Sequence, residues 1–408
     1  MTVEERFLRY IAIDTQSDER SDTYPSTEKQ KTLLRLLKEE LEELGLTDVF
    51  MDAYGYVTAT LPARGAKASA PVLGLLAHVD TSPDCSGADV RPRTLLYEGG
   101  DIVLNAEAGV VMRTQEFPEL ACYKGKHLIV TDGTTLLGAD DKAGVAEIMQ
   151  LLQMLREDPE LSHPTLRIAF TPDEEVGRGT EHFDVPAFGA DFAYTVDGGA
   201  LGELEYENFN AAGAQITVHG RNIHPGSAKG KMRNACLIAA EFTQLPPCGQ
   251  RPELTENYEG FFHLTDMRGD VEQAQLHYIV RDHDRASFER KKELLHKSAA
   301  FLNEKYGEGT VSLTVTDSYY NMKEKLLPHM HLIENARAAM AGNGVEARIR
   351  PIRGGTDGAR LSFCGLPCPN LCTGGMNFHG RYEYICIEDM RAVTNILCSL
   401  VQKYADFS

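Results

Sequence analysis

Pro71-Val72-Leu73-Gly74-Leu75-Leu76-Ala77-His78-Val79-Asp80 is a short apolar run that ends in two side chains suited to metal ligation. Its length and its Pro and Gly punctuation suit a buried strand over 72–77. The two-residue period of a strand points His78 and Asp80 to the same side. Two further runs share this layout. Residues 165–170 lead into Thr171-Pro172-Asp173-Glu174-Glu175-Val176-Gly177, and residues 192–196 lead into Asp197-Gly198-Gly199. Between the first run and these two, a helical pattern over 143–155 begins just after Gly138-Ala139-Asp140-Asp141. Strands alternating with helices predict an α/β layer, a mixed and largely parallel sheet flanked by helices.

Outward from this core, residues 1–62 read as a helix, a loop and a second helix over 28–44. In that second helix Leu33, Leu34, Leu36, Leu37, Leu41 and Leu44 recur at helical spacing. The texture changes near residue 209. Residues 214–218, 235–245, 274–281, 286–306 and 310–316 resemble a small α+β unit, and after about 320 helices and Gly-rich loops return. The economical division is one domain in two parts, 1–208 and 320–408, interrupted by an α+β domain over 209–319.

Composition narrows the classes of function. The chain has 408 residues, with 41 Lys and Arg against 60 Asp and Glu and a formal charge of −19. That balance argues against broad nucleic-acid contact, which needs a basic surface. No apolar run reaches the ~18 residues of a membrane span, and Met1-Thr2-Val3-Glu4-Glu5-Arg6 lacks the pattern of a signal peptide. Nine cysteines scattered without a disulfide framework read as reduced thiols, so a cytoplasmic setting is expected.

Each ligand-type cluster has a bland reading of its own. His78 could be a satisfied core histidine, Asp140-Asp141 a helix cap, Asp173-Glu174-Glu175 a solvated loop, and Asp197-Gly198-Gly199 a turn. Together these readings fail, because side chains at the carboxyl ends of successive strands share the crevice where open α/β sheets bind ligands. His379, in Gly374-Gly375-Met376-Asn377-Phe378-His379-Gly380, adds an imidazole from a Gly-rich loop. Imidazoles mixed with carboxylates suit zinc, or cobalt or manganese. Close carboxylates could not all stay ionised without a cation.

In order and spacing these motifs resemble the co-catalytic dizinc peptidase family that includes carboxypeptidase G, carnosinases and aminoacylases. The longer stretches 82–87, 203–210, 317–322 and 353–358 resemble its tripeptide aminopeptidases. The resemblance implies a zinc-exopeptidase-like catalytic domain and two zinc ions per chain, with cobalt or manganese as substitutes. His78 and Asp197 would hold one ion, Glu175 and His379 the other, with Asp140 between them. Asp80 would orient His78, and Glu174 would be the general base that activates a metal-bridging water. The family also implies a cis peptide between Asp140 and Asp141. His224, in Arg221-Asn222-Ile223-His224-Pro225-Gly226-Ser227-Ala228, would steady the tetrahedral intermediate, although by sequence alone it reads as a surface histidine. The chain is thereby expected to remove the N-terminal residue from tripeptides, apart from nucleic acid and membranes, as a monomer with a lid or as a homodimer.

Substrate residues are read more directly. Arg281 and Arg353 could each hold a peptide carboxylate by a bidentate pair. Arg353, beside Gly354-Gly355-Thr356, is the preferred one, and Asn321 is a further candidate. Other signals carry nothing. Cys364, Cys368 and Cys372 are separated by prolines and apolar residues, and 226–231 lacks the ending of a phosphate loop. Within the family the alternatives are a dipeptidase or an N-acyl-amino-acid hydrolase. Outside it stands a non-catalytic peptide-binding protein, against which the non-ligating Glu174 speaks.

Overall fold

Three adjacent parallel strands set the frame. In the computed structural model, which describes residues 1–407, Leu73–His78 pairs in parallel with Leu166–Thr171 on one side and Phe192–Gly198 on the other. The register places His78 opposite Thr171. The segments carrying His78 and Asp80, Glu174 and Glu175, and Asp197 therefore gather at one end of the sheet. Every residue of Leu73–His78 is buried, as expected of a strand covered on both faces.

The sheet has eight strands, in the order Thr47–Met51, Val57–Leu61, Leu166–Thr171, Leu73–His78, Phe192–Gly198, Asn370–Cys372, Glu203–Glu205 and Arg348–Ile349. Asn370–Cys372 continues the parallel run, and the two strands at the Thr47 edge are antiparallel. The helices Val3–Ile11, Ala139–Glu157 and Ile387–Ala405 pack against one another. Ala139–Glu157 also lies directly on the sheet. A Cβ on Gly144 would fall 1.8 Å from the Val196 carbonyl oxygen, so only glycine permits that approach. The approach brings the helix start, with Asp140, against the strand that carries Asp197.

The chain divides into two units. One comprises Met1–Tyr206, Glu324–Arg350 and Thr356–Ser408, the final Ser408 lying outside the described residues. The other comprises Glu207–Lys323 with Pro351–Gly355. This second unit is an antiparallel sheet ordered Phe261–Gly269, Gln273–Asp282, Asn210–His219 and Val311–Tyr319, with helices Ala235–Phe242 and Arg285–Tyr306. Its core is built on Ile216, Phe242, Leu276, Val280, Phe288 and Leu302. The segment Pro351–Gly355 joins it through a parallel bridge between Asn208 and Ile352.

Some elements differ from the sequence reading. Residues 47–51 and 57–61 form strands where only a helix, a loop and a helix were expected. A second four-stranded sheet joins Gly375–Met376, Tyr384–Cys386, His127–Val130 and Arg93–Leu96. Its strands, two to four residues long, are too short to impose a legible period.

Candidate active site

The first ligand-type side chain sits at a strand end and is fully enclosed. The His78 side chain is 2 % exposed, and its Nε2 lies 3.0 Å from Asp140 Oδ1 and 3.3 Å from Asp197 Oδ1. The other oxygen of Asp140 turns the opposite way. Asp140 Oδ2 lies 3.1 Å from His379 Nε2, which is also 3.0 Å from Glu175 Oε2. One carboxylate thus faces two imidazoles, each accompanied by a second carboxylate. His379 is the exposed member at 42 %, so the cluster opens on that side.

Asp140 and Asp141 depart from helical angles after Gly138, whose φ is +86°, so their side chains do not follow the helix behind them. The peptide between the two aspartates is cis. Asp141 is engaged by the backbone. Its Oδ2 accepts the backbone N–H of His78 and its Oδ1 that of Gly144, each at 3.2 Å. Ligand-type atoms lie within 4.8 Å of one another in two sets, His78 with Asp140 and Glu175, and His78 with Asp141 and Asp197. Asp141 belongs to the second set by distance, but both its oxygens already accept backbone N–H groups.

Asp80 does more than face His78. Its Oδ1 lies 3.2 Å from His78 Nδ1, and it also accepts the backbone N–H of Glu174 at 3.0 Å. Its Oδ2 accepts the N–H of Glu175 at 3.2 Å. A single buried carboxylate therefore holds one imidazole and both glutamates in place. Asp173, at φ +61°, anchors the same loop by accepting from the Ser26 N–H and hydroxyl and from the Gln30 amide. The Asn370 amide oxygen accepts the Asp197 N–H at 3.2 Å, and its nitrogen donates to Glu205. The contacts of Asp80 with the glutamates, and those of Asp173 and Asn370, were not read from the sequence. Each joins residues far apart in the chain.

Charge in this cluster is strongly frustrated. Burial, reinforced by Asp197, drives the Glu174 carboxyl well above the usual range. Burial and Asp140 push Glu175 up to about 8, and burial pushes Asp197 up to about 6. Burial opposes a charged His78, yet Asp197, Asp140 and Asp80 outweigh it and raise the imidazole well above its ordinary value. Hydrogen bonds to Asp140 and Glu175 lift His379 to about 11. Glu175 Oε1 is buried without a hydrogen-bond partner. Converging acids that burial drives toward neutrality, together with an orphaned carboxylate oxygen, fit a dication between them. The Glu174 carboxylate has no hydrogen-bond or ion-pair partner among the described residues.

The candidates in the second unit fare differently. Arg353 Nη1 donates to the carbonyls of Asn257 and Glu259, and its Nη2 donates to the carbonyl and hydroxyl of Thr255. Its guanidinium also stacks over Phe209 and Phe261. In this arrangement Arg353 ties loops together. Asn321 is likewise engaged, accepting from Asn208 and Lys323 and donating to the His283 carbonyl. Arg281 keeps more donors available. Its Nη1 meets the Arg353 carbonyl at 3.1 Å, and its Nε is buried without a hydrogen-bond partner. His224 is exposed beside a short 3₁₀ turn, where its Nδ1 accepts the Gly226 N–H at 3.2 Å.

The model of peptidase family M20/M25/M40 matches residues 130–403. The chain belongs to that family. Its relatives include Peptidase T of Alkaliphilus oremlandii, 57 % identical with 98 % of each chain covered. A tripeptidase structure from Staphylococcus aureus superposes on this peptidase with a TM-score of 0.78 at 22 % identity, over 99 % of this chain and 98 % of its own. A Bacillus subtilis structure described as a dinuclear metal-binding peptidase of the M20 family superposes at 0.63 with 13 % identity over 98 % of each chain. Both share this peptidase's fold.

If His78 ligates a dication, replacing Asp80 with asparagine is expected to weaken binding of that dication by roughly 10- to 100-fold, the usual effect of losing a carboxylate behind a ligating histidine. The asparagine amide would also set a donor against one of the glutamate N–H groups. Calorimetric titration of the chelator-treated peptidase checks this, and wild-type affinity would show that Asp80 is a bystander.

Proposed function

We propose that this peptidase is a dimetal aminopeptidase that removes the N-terminal residue from tripeptides. The observation that carries the reading is the Asp140 carboxylate facing His78 with one oxygen and His379 with the other. The full-length likeness to a protein named Peptidase T supports the substrate class. His78 and Asp197 would hold one cation and Glu175 and His379 the other, with Asp140 shared. Zinc suits this set of imidazoles and carboxylates, with cobalt or manganese as substitutes. Bound dications supply Lewis acidity toward a carbonyl oxygen and acidify water.

The chain's own residues complete the chemistry. Glu174 takes a proton from the attacking water at its carboxylate and returns it to the departing amine. Asp80 keeps Glu174 and Glu175 in register with His78. His224 serves as the extra donor to the developing oxyanion. Of the two arginines proposed for the peptide's C-terminal carboxylate, Arg281 and Arg353, Arg281 has a buried Nε without a hydrogen-bond partner. The second unit acts as a lid or as a pairing surface. Nine cysteines without a disulfide suit a reducing cytoplasm, and no described helix is long and apolar enough to cross a membrane.

A panel of one free tripeptide, the matching dipeptide and the N-acetylated tripeptide tests the assignment. The free tripeptide is expected to be hydrolysed with the highest kcat/KM and the acetylated form to be refused. Preference for the acetylated peptide would establish an acyl-amino-acid hydrolase, and preference for the dipeptide a dipeptidase.

A further inference from the structure

Glu383 is a fully buried glutamate with no part in the chemistry above. It lies four residues beyond His379, at the base of the loop between Gly375–Met376 and Tyr384–Cys386, strands that pair with each other. Its carboxylate reaches across to the turn that presents Asp140. Oε2 accepts the N–H groups of Leu137 at 2.7 Å and Gly138 at 2.9 Å, and Oε1 accepts that of Asp140 at 3.1 Å.

A helix start ordinarily satisfies its exposed N–H groups with a side chain at its own cap. Here the cap is Gly138, which has no side chain to offer. The acceptor comes instead from a residue 245 positions away. Charge-assisted hydrogen bonds of this kind are stronger than neutral ones. One side chain therefore couples the loop bearing His379 to the turn bearing Asp140. Those two ligand-type residues meet each other at 3.1 Å.

We infer that Glu383 is a positioning residue for the second metal position, fixing the Asp140 carboxylate against His379. The inference rests on the dimetal reading, with Glu175, His379 and Asp140 around that position. Glu383→Gln keeps size and shape but turns an NH₂ group toward one set of backbone N–H donors. The His379 loop then loses its fixed distance from the Asp140 turn, while His78 Nε2 keeps its contacts with Asp140 and Asp197.

The test is calorimetric zinc titration of the chelator-treated full chain, wild type against Glu383→Gln, with thermal melting of both metal-free proteins run beside it. The wild type is expected to take up two ions. In the variant one ion should be held as before and the other roughly 10- to 100-fold more weakly. Excess zinc should restore kcat with KM unchanged, a pattern that simple loss of fold would not produce. A folded variant that binds both ions with wild-type affinity, or loses both alike, would overturn the inference. If Glu383→Gln does not fold, Glu383→Asp, which keeps the charge on a shorter arm, makes the same comparison and must also weaken one ion selectively. A wild type that binds fewer than two ions would refute the dimetal reading itself, separately from the role of Glu383.

Discussion

Glu174→Gln is expected to lower kcat by roughly 10²- to 10⁴-fold, the range in which a positioned general base contributes. Zinc content and KM should stay close to wild type. The expectation follows from where the side chain stands. Its backbone N–H is fixed by Asp80, while its carboxylate pairs with nothing among the described residues. A group held by its main chain and unpaired at its tip has no structural bond to lose. Glutamine preserves its size and removes only its capacity to take a proton. Steady-state kinetics on a tripeptide, with metal analysis of the same preparation, separates the two effects. An active variant would remove Glu174 from its role, and an inactive variant that has lost zinc would make it a ligand instead.

Asp140→Ala should be more severe and different in kind. Its carboxylate faces both imidazoles. Burial opposes its charge, yet hydrogen bonds from His379 and His78 hold it well below the usual carboxyl range. Without it, His78 keeps Asp197 and His379 keeps Glu175, but no carboxylate is shared between the two pairs. Stoichiometric zinc binding should be lost, and hydrolysis with it. Ligand binding to the native state alone stabilises by about 2.7 kcal/mol at 100 times the dissociation constant. Zinc should accordingly raise the melting temperature of the wild type and leave that of Asp140→Ala unmoved. A variant still stabilised by zinc to the wild-type extent would show that Asp141, the neighbouring carboxylate, can take over the bridge.

The candidate ligands could be picked out of the sequence because most follow a strong local signal. A buried apolar run precedes His78, another precedes Glu174 and Glu175, and a third precedes Asp197. The α/β character of the first unit came from the same runs. What sequence could not convey is what holds these residues still. Asp80 reaching Glu175, Asp173 reaching Ser26 and Gln30, and Glu383 reaching Leu137 and Asp140 are contacts between distant segments. No periodicity encodes them. The surroundings of Arg353 were hidden for a related reason. Its glycine neighbours suggested an open binding loop, but three backbone carbonyls and two aromatic rings occupy its guanidinium.

These supports share one physical device. Asp80, Asp141 and Glu383 are buried carboxylates that accept backbone N–H groups at strand ends, turns and a helix start. Unsatisfied N–H groups in such places are costly, and a carboxylate can accept two or three of them at once. The candidate ligands are thus held by protein bonds alone, as a preorganised metal centre requires.

The most direct test of the central claim is anomalous X-ray diffraction at the zinc edge from crystals of the zinc-loaded peptidase. Two peaks are expected, one among His78, Asp197 and Asp140, the other among His379, Glu175 and the same Asp140. A single peak, or a pair ligated through Asp141 with Asp140 left free, would contradict it.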